Sequence, residues 1–210
     1  GHPMHAFDLD LVRGGKIVVR RAAEGEPLKT LDGASHTLVS DDLVIADAEG
    51  PVALAGVMGG AGSEIRDTTK RVLLECAYFT PRGVRRSARR HGIHSESSHR
   101  FERGVDPADI PDVLAHAASL LTALGSGSAI PGTILAGVPV AEPAVIRLRE
   151  ARINALVGAP IPLADAKKIL TNLGFQVSPG ADAHELDVAT PTHRPDIGGE
   201  ADLIEEIVRV

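Results

Sequence analysis

The first part of the chain alternates short apolar runs with turn-forming segments, a pattern typical of β-strands in a sheet. Runs rich in Val, Ile, Leu and Ala predict strands at residues 16–22, 42–47, 51–60 and 71–79. The segments "LDGAS", "DAEG" and "GGAGSE" lie outside or between these runs, and their Gly, Asp and Ser residues favour turns. We therefore expect a substantial sheet in this part of the chain.

Helical signals begin after residue 79. Thr80 as N-cap, Pro81 at the first helical position and Gly92 at the end predict one helix, and an apolar run predicts a second at 111–124. Further strands are predicted at 144–150 and 185–191, and further helices at 150–158, at 163–174 and from about Glu200 onward. The Gly- and Pro-rich segment 125–143 predicts a domain boundary, with an edge strand as an alternative for part of it.

This order of elements predicts an α+β fold in two domains. Residues 1–144 would form a mixed sheet with helices, and residues 145–210 a small α+β domain. The composition, 43% apolar and 24% charged in 210 residues, is that of a globular protein. The chain begins at Gly1 and ends inside the apolar-periodic run "DLIEEIVRV", so we expect both domains to be truncated parts of a longer protein.

Composition also narrows the class of protein. A membrane span or secretory leader is not apparent in the sequence, and the single cysteine, Cys76, cannot form an internal disulfide. We expect a cytoplasmic protein in which Cys76 is a core thiol. Aromatic residues make up only 2% of the chain, too few for a protein that grips single strands by stacking on successive bases. Any nucleic acid would be held mainly through its phosphates.

Charge is unevenly distributed along the chain. Residues 80–104 hold seven arginines against two glutamates, whereas residues 180–210 hold eight carboxylates against two arginines. Five of the arginines share one face of the predicted 80–92 helix: Arg82, Arg85, Arg86, Arg89 and Arg90. Such a stripe repels itself unless anions lie against it. Either RNA phosphates or carboxylates from elsewhere in the chain would meet this need.

Glu75 lies in the apolar predicted strand "VLLECAYF". A buried carboxylate is costly unless it has a partner, a proton or a ligand group that donates to it. An ion pair with an arginine and a ligand hydroxyl remain as alternatives.

Polar residues are concentrated in "RRHGIHSESSHRFERGVDP" (89–107), which we expect to form a loop facing a ligand. No serine lies in a G-x-S-x-G motif, so hydrolysis here would use a positioned water rather than a serine nucleophile. The histidine pairs at 2 and 5 and at 91 and 94 lack further ligands at zinc-binding spacing, which argues against structural zinc.

The last predicted helix carries Asp202, Glu205 and Glu206 on one face, with Asp196 just before it. Converging carboxylates suit magnesium, whereas carboxylates near a helix N-terminus are also stabilised by the helix dipole alone. The spacing leaves both interpretations open. Leu203, Ile204, Ile207 and Val208 would form the buried side of this helix.

Together these segments resemble a known family. "GHPMHAFDLD", "ALAGVMGG", "LLECAYFTP", "ARRHGIHSESSHRFERGVDP" and "RPDIGGEADLIEEIVR" are similar, in order, to the beta chain of bacterial phenylalanyl-tRNA synthetase. The resemblance implies an editing domain that hydrolyses tyrosine wrongly esterified to tRNA(Phe), followed by a small domain. It also implies an alpha chain in a heterotetramer of two alpha and two beta chains, with ATP used at the alpha-chain site only.

The resemblance carries the family's editing positions onto His5, Gly59, Glu75, Ser95 and Ser97. Glu75 would accept the tyrosine hydroxyl, His5 would orient the attacking water or the ester, and Gly59 would let the backbone approach the substrate. Ser95, carried over as a catalytic position, stands where threonine is common, and Ser97, carried over as a substrate-binding position, replaces a small residue in some relatives. A magnesium site shared with the alpha chain is carried onto Asp196, Asp202, Glu205 and Glu206.

Two functions follow from this resemblance as expectations. The first is an editing esterase that clears Tyr-tRNA(Phe) by attack of water on the ester. The second is a non-catalytic scaffold that contacts RNA and the partner subunit. A DNA-binding role for the second domain is disfavoured by its acidic C-terminal half.

Overall fold

The computed structural model describes residues 1–125, 127–138 and 144–210. Within this range the chain divides into two compact units, Gly1–Ile134 and Leu135–Val210. The predicted linker at 125–143 includes residues 126 and 139–143, which lie outside the described residues, so the predicted boundary near 145 stays a prediction. No helix in the described ranges is long and apolar enough to cross a membrane.

The first unit is a set of antiparallel sheets with three helices. Its strands are β1 (Met4–Asp8), β2 (Val18–Arg21), β3 (Pro27–Lys29), β4 (Ser35–Thr37), β5 (Leu43–Ala46), β6 (Pro51–Leu54), β7 (Met58–Gly59) and β8 (Val72–Cys76). Its helices are α1 (Pro81–His91), α2 (Glu96–Phe101) and α3 (Ile110–Gly125), and short 3-10 turns occur at Arg13–Gly15 and Ala61–Ser63. The α+β prediction is confirmed.

The strands pair in three groups. β2, β5, β6 and β7 form a four-stranded sheet in that order, β1 pairs with β8, and β3 pairs with β4. A bridge between Thr30 and Gly60 links the end of β3 to the end of β7. One continuous core, including the fully buried Phe7, Leu38 and Leu54, lies under these strands and α1. β1, β3 and β4 were not predicted, because their short runs carry polar residues.

The predicted strand at 51–60 is wrong in one respect, since it is two strands joined by a turn. Gly56 turns the chain with a φ of 70°, a conformation that favours glycine. A Cβ on Gly56 would lie only 2.9 Å from side-chain carbons of Phe79 and Val84. The turn is therefore packed tightly against the residues that begin α1, and it brings β7 back beside β6.

Helix α1 is attached to the sheet through a buried carboxylate. Asp42 is fully buried and accepts hydrogen bonds from Ser87 Oγ (2.8 Å) and from His91 Nε2 (2.7 Å), and it pairs with Arg90. Burial raises the pKa of Asp42, but the bonds from His91, the Val39 amide and Ser87 outweigh it and hold that pKa below its usual value. α1 begins after Thr80 with Pro81 and ends at the left-handed Gly92, as predicted.

The second unit packs three helices on a three-stranded antiparallel sheet. Its elements are β9 (Val145–Arg149), α4 (Glu150–Val157), α5 (Leu163–Asn172), β10 (Gln176–Pro179), β11 (Glu185–Ala189) and α6 (Glu200–Val208), with strand order β10-β11-β9. Leu148 and Val188 on the sheet are fully buried with Leu203 of α6. All these elements were predicted except β10, whose "QVSP" contains proline and little apolar alternation.

Candidate functional site

The candidate site forms where β1 lies beside β8. The antiparallel register places His5 directly opposite Glu75. Side chains directly opposite in such a pair share one face of the sheet, with Cβ atoms about 4.5–5.5 Å apart. Two predicted site residues that are 70 positions apart in the chain therefore become neighbours.

Glu75 carries a carboxyl group that the chain leaves without a partner. Among the described residues no hydrogen bond or ion pair reaches it, so the alternative of an ion pair with an arginine is not what the structure contains. Burial raises the pKa of Glu75 from its usual 4.5 to about 7. Near neutral pH the group is poised between a carboxylate, which only accepts hydrogen bonds, and a carboxylic acid, which also donates one.

His5 is similarly unpartnered. Its Nε2 is buried and has no hydrogen-bond partner in the part of the chain that the structure describes, and burial lowers the pKa of the imidazole. The ring lies edge-on to Phe7, with 4.4 Å between ring centroids. At neutral pH His5 is therefore a neutral imidazole, and its buried Nε2 lies beside Gly59.

Gly59 at the end of β7 makes room for this ring. A Cβ at Gly59 would overlap the His5 imidazole, with Nε2 at 2.9 Å, and would meet Leu31 at 3.0 Å. Any larger residue at this position displaces His5. The predicted residues His5, Gly59 and Glu75 thus lie at one place, although they come from three different strands.

Ser95 and Ser97 join the same region through backbone contacts. Ser95 Oγ donates to the carbonyl oxygen of Val57 at 2.5 Å, and Ser97 Oγ donates to that of Gly56 at 3.1 Å. Ser95 also accepts from the amide of Ser98 and so caps α2, a helix where we expected a loop. Both hydroxyl hydrogens point at the turn before Gly59, which suits a positioning role better than direct contact with a reacting ester.

The arginine stripe of α1 divides into two sets. Arg86 and Arg90 pair with Asp41, and Arg90 also pairs with Asp42. For these two arginines the alternative of carboxylates from elsewhere in the chain is what the structure contains. The other three (Arg82, Arg85 and Arg89) are exposed and have no carboxylate within 4 Å among the described residues. The sequence offered a signal for the missed partners, since Asp41 and Asp42 are adjacent at the start of a predicted strand.

In the second unit, the four predicted metal ligands do not converge. Asp196 and Glu206 both bind the guanidinium of Arg194, at 2.6 and 3.0 Å. Asp202 accepts from the amides of Gly198 and Gly199 at the start of α6, and Glu205 is exposed. In the described ranges no group of three or more His, Cys, Asp or Glu side chains could hold a metal ion.

This arrangement does not fit magnesium, because Arg194 already neutralises two of the four carboxylates. A magnesium ion shared with a partner chain stays a prediction. The buried side of α6 also differs from the expected one. Glu206 is buried because Arg194 and Arg209 pair with it, whereas Val208 is 54% exposed.

Comparison with known proteins matches both units to characterised domain families. Residues 1–126 match the B3/4 domain, and residues 146–210 match the tRNA synthetase B5 domain. Over its whole length the chain is 48% identical to the phenylalanine–tRNA ligase beta subunit of Geobacter sulfurreducens and 49% identical to that of Oleidesulfovibrio alaskensis. It spans 26% of the length of each of these relatives.

A solved structure of an N-terminal fragment of the phenylalanyl-tRNA synthetase beta subunit from Pyrococcus horikoshii is also similar. The match covers 98% of this chain and 58% of that one, with 14% sequence identity and a TM-score of 0.48. A likeness at that level carries no argument about the site.

Proposed function

Because the chain belongs to the phenylalanine–tRNA ligase beta-subunit family, with a B3/4 domain followed by a B5 domain, we propose that its first unit is an editing esterase. The substrate is tRNA(Phe) that carries tyrosine in error. The products are free tyrosine and tRNA(Phe) with its terminal hydroxyl restored.

One observation carries this proposal, namely the unpartnered carboxyl of Glu75. Tyrosine and phenylalanine differ by one hydroxyl, and a pocket that accepts phenylalanine rejects a slightly larger analogue only weakly. A second site that binds the hydroxyl itself accepts tyrosine and disfavours phenylalanine. The tyrosine phenol donates to the Glu75 carboxylate, whereas a phenylalanyl group leaves that acceptor buried and unsatisfied, at a cost of about 1–3 kcal/mol.

The reaction is attack of water on the ester carbonyl. The carbonyl oxygen gains the electron pair in a tetrahedral intermediate, and the bond to the ribose oxygen then breaks. The ribose oxygen leaves with a proton, and the water supplies the hydroxyl of the free carboxylic acid. His5, a neutral imidazole opposite Glu75, orients the water or the ester, and the proton of the water passes to the leaving ribose oxygen. Gly59 leaves space for the His5 ring. Ser95 and Ser97 bond the turn that precedes Gly59 and so help to fix the position of Gly59.

Other functions of the ligase belong, in this proposal, to chains outside this one. Phenylalanine is joined to tRNA(Phe) with ATP at a site in an alpha chain, within an assembly of two alpha and two beta chains. The exposed arginines of α1 face RNA phosphate. A scaffold without activity is the second candidate, which the exposed leucines on α3 favour as a subunit contact (Leu120, Leu121 and Leu124).

Deacylation assays separate the two candidates. Tyr-tRNA(Phe) and Phe-tRNA(Phe) are incubated with a full-length ligase that carries this sequence and with the 210-residue chain, each as wild type, Glu75→Ala and Glu75→Gln. Tyrosine-selective hydrolysis that Glu75→Ala reduces at least 10-fold supports the editing esterase. Equal rates in wild type and Glu75→Ala would refute the role of Glu75. If the full-length ligase hydrolyses neither substrate, the editing esterase is refuted and the non-catalytic scaffold is the candidate that remains.

A further inference from the structure

A groove lies between the end of α1 and the start of α2, next to the candidate site. Its volume is about 390 Å³, within the range of about 300–1,000 Å³ that is usual for ligand sites. The side chains that line it include Arg89, His94, Ser95, Glu96, His99 and Glu102. Arg89 and Ser95 are among the predicted site residues, but the matched domain descriptions assign no ligand to this groove.

The two carboxylates in the groove have cationic partners outside its lining. Glu96 pairs with Arg100 at 3.6 Å, and Glu102 pairs with Arg103 at 3.1 Å. Arg89 has no carboxylate within 4 Å among the described residues. The unbalanced charge of the groove is therefore the guanidinium of Arg89, and the groove favours an anion.

His99 places a hydrogen-bond donor in the same groove as the Arg89 guanidinium. Its Nδ1 lies 2.9 Å from Nη1 of Arg103. Because a guanidinium only donates, Nδ1 must accept that bond, and in the neutral imidazole the proton is then on Nε2. His94 is exposed on the same wall. A permanent cation beside imidazole donors suits the oxygens of a phosphodiester.

The position of the groove fits one occupant. Ser95 lines the groove, and its hydroxyl donates to Val57, two residues before Gly59 of the candidate site. Arg82 and Arg85 continue from Arg89 along the same face of α1 for about 10 Å, from the rise of 1.5 Å per helical residue. A strand that follows these arginines reaches the groove, where Ser95 contacts the turn before Gly59. Among the described residues no Phe, Tyr or Trp lines the groove, which favours contacts with the backbone of the strand over stacking on successive bases.

We propose that this groove binds a phosphodiester of the single-stranded 3′ end of the tRNA, close to the nucleotide that carries the aminoacyl ester. Arg89 contacts the phosphate through its guanidinium, and His99 donates from Nε2. The proposal rests on the proposed editing function, and it names the part of the substrate that sets the path into the site.

The first test is binding of uncharged tRNA(Phe) to a full-length ligase that carries this sequence, measured over a range of salt concentrations. Each phosphate contact to a single strand contributes a slope of about 0.7 in log K against log salt, so Arg89→Gln lowers the slope by about that amount. The same relation gives about 5-fold weaker binding at 0.1 M salt. His99→Ala removes the imidazole donor, so it weakens binding about 2- to 10-fold without changing the slope.

Lys16→Gln is the matched control. Lys16 is exposed and lies outside the groove, and the substitution removes the same charge. If the effect of Arg89 is local, Lys16→Gln leaves both the salt slope and the affinity for tRNA(Phe) unchanged. Equal changes in slope from Lys16→Gln and Arg89→Gln, or no change from either, overturn the proposal.

A second test uses tyrosyl-adenosine, an ester that has no phosphodiester. Arg89→Gln hydrolyses it at the wild-type rate while its half-saturating concentration of Tyr-tRNA(Phe) rises about 5-fold, as expected from the loss of one phosphate contact. An equal loss on both substrates means that Arg89 acts at the ester, which overturns the proposal. If the wild type hydrolyses neither substrate, the editing function fails, and the salt dependence of tRNA binding still decides whether the groove binds phosphate.

Discussion

Ionised Glu75 is expected to lower the free energy of unfolding of the first unit, and the Glu75→Gln variant tests this directly. Burial holds the pKa of Glu75 at about 7 in the folded chain, against 4.5 as its usual value. One pKa unit corresponds to about 1.36 kcal/mol, so ionised Glu75 costs the fold about 3 kcal/mol. Glutamine keeps the shape and has no charge, so the variant avoids this cost.

The effect depends on pH in a definite direction. Between pH 4.5 and 7 the folded chain binds the Glu75 proton more tightly than the unfolded chain does. The free energy of unfolding contributed by this group therefore falls as pH rises through that window, and the loss is complete above about pH 8. Glu75→Gln should equal wild type near pH 4.5 and exceed it by up to about 3 kcal/mol at pH 8.

Chemical denaturation of the 210-residue chain, followed by circular dichroism at pH 5 and pH 8, measures this difference. The control is Glu49→Gln, since Glu49 is exposed and should change stability by less than about 0.5 kcal/mol at either pH. The transition of the second unit should not move in either variant. A Glu75→Gln variant that is less stable than wild type at pH 8 would falsify the burial argument, because it would mean that the carboxylate makes a stabilising contact.

Three further substitutions follow from the same contacts. Gly59→Ala should abolish tyrosine-selective deacylation and cost about 1–3 kcal/mol of stability, because its Cβ overlaps the His5 ring; unchanged deacylation would show that His5 is not needed. Asp42→Ala should destabilise the first unit by about 3–5 kcal/mol in a thermal melt, since it strands Arg90 beside a buried site, and Asp42→Asn should be milder. Ser95→Ala should lose the cap of α2 and about 1–2 kcal/mol, whereas Ser95→Thr should keep both; equal losses would argue against the hydroxyl contacts.

Local pattern was sufficient for most of the regular elements. Apolar runs identified β2, β5 and β8, and the cap signals at Thr80, Pro81 and Gly92 defined α1 almost to the residue. These elements are predictable because their propensity, periodicity and terminal residues all agree. Four short strands were not predicted: β1, β3, β4 and β10. Short strands with polar residues are stabilised by pairing with partner strands, which local sequence does not show.

The candidate site could be described from the sequence only through the family resemblance. Glu75 stood out by itself as a carboxylate in an apolar strand, but nothing local connects it with His5. The antiparallel register of β1 and β8 makes them neighbours. The hydroxyl contact of Ser95 was not predictable for a similar reason, since its partner, the carbonyl of Val57, is 38 positions away.

The sequence by itself determined the α+β class, most helices and strands, and the residue types that the chemistry needs. Only the tertiary structure decided which charges are free to act. Arg86 and Arg90 pair with Asp41 and Asp42, and Arg194 pairs with two of the carboxylates that the family resemblance assigned to magnesium. Helical spacing specifies which side chains share a face, but the net charge of that face depends on what the rest of the fold packs against it.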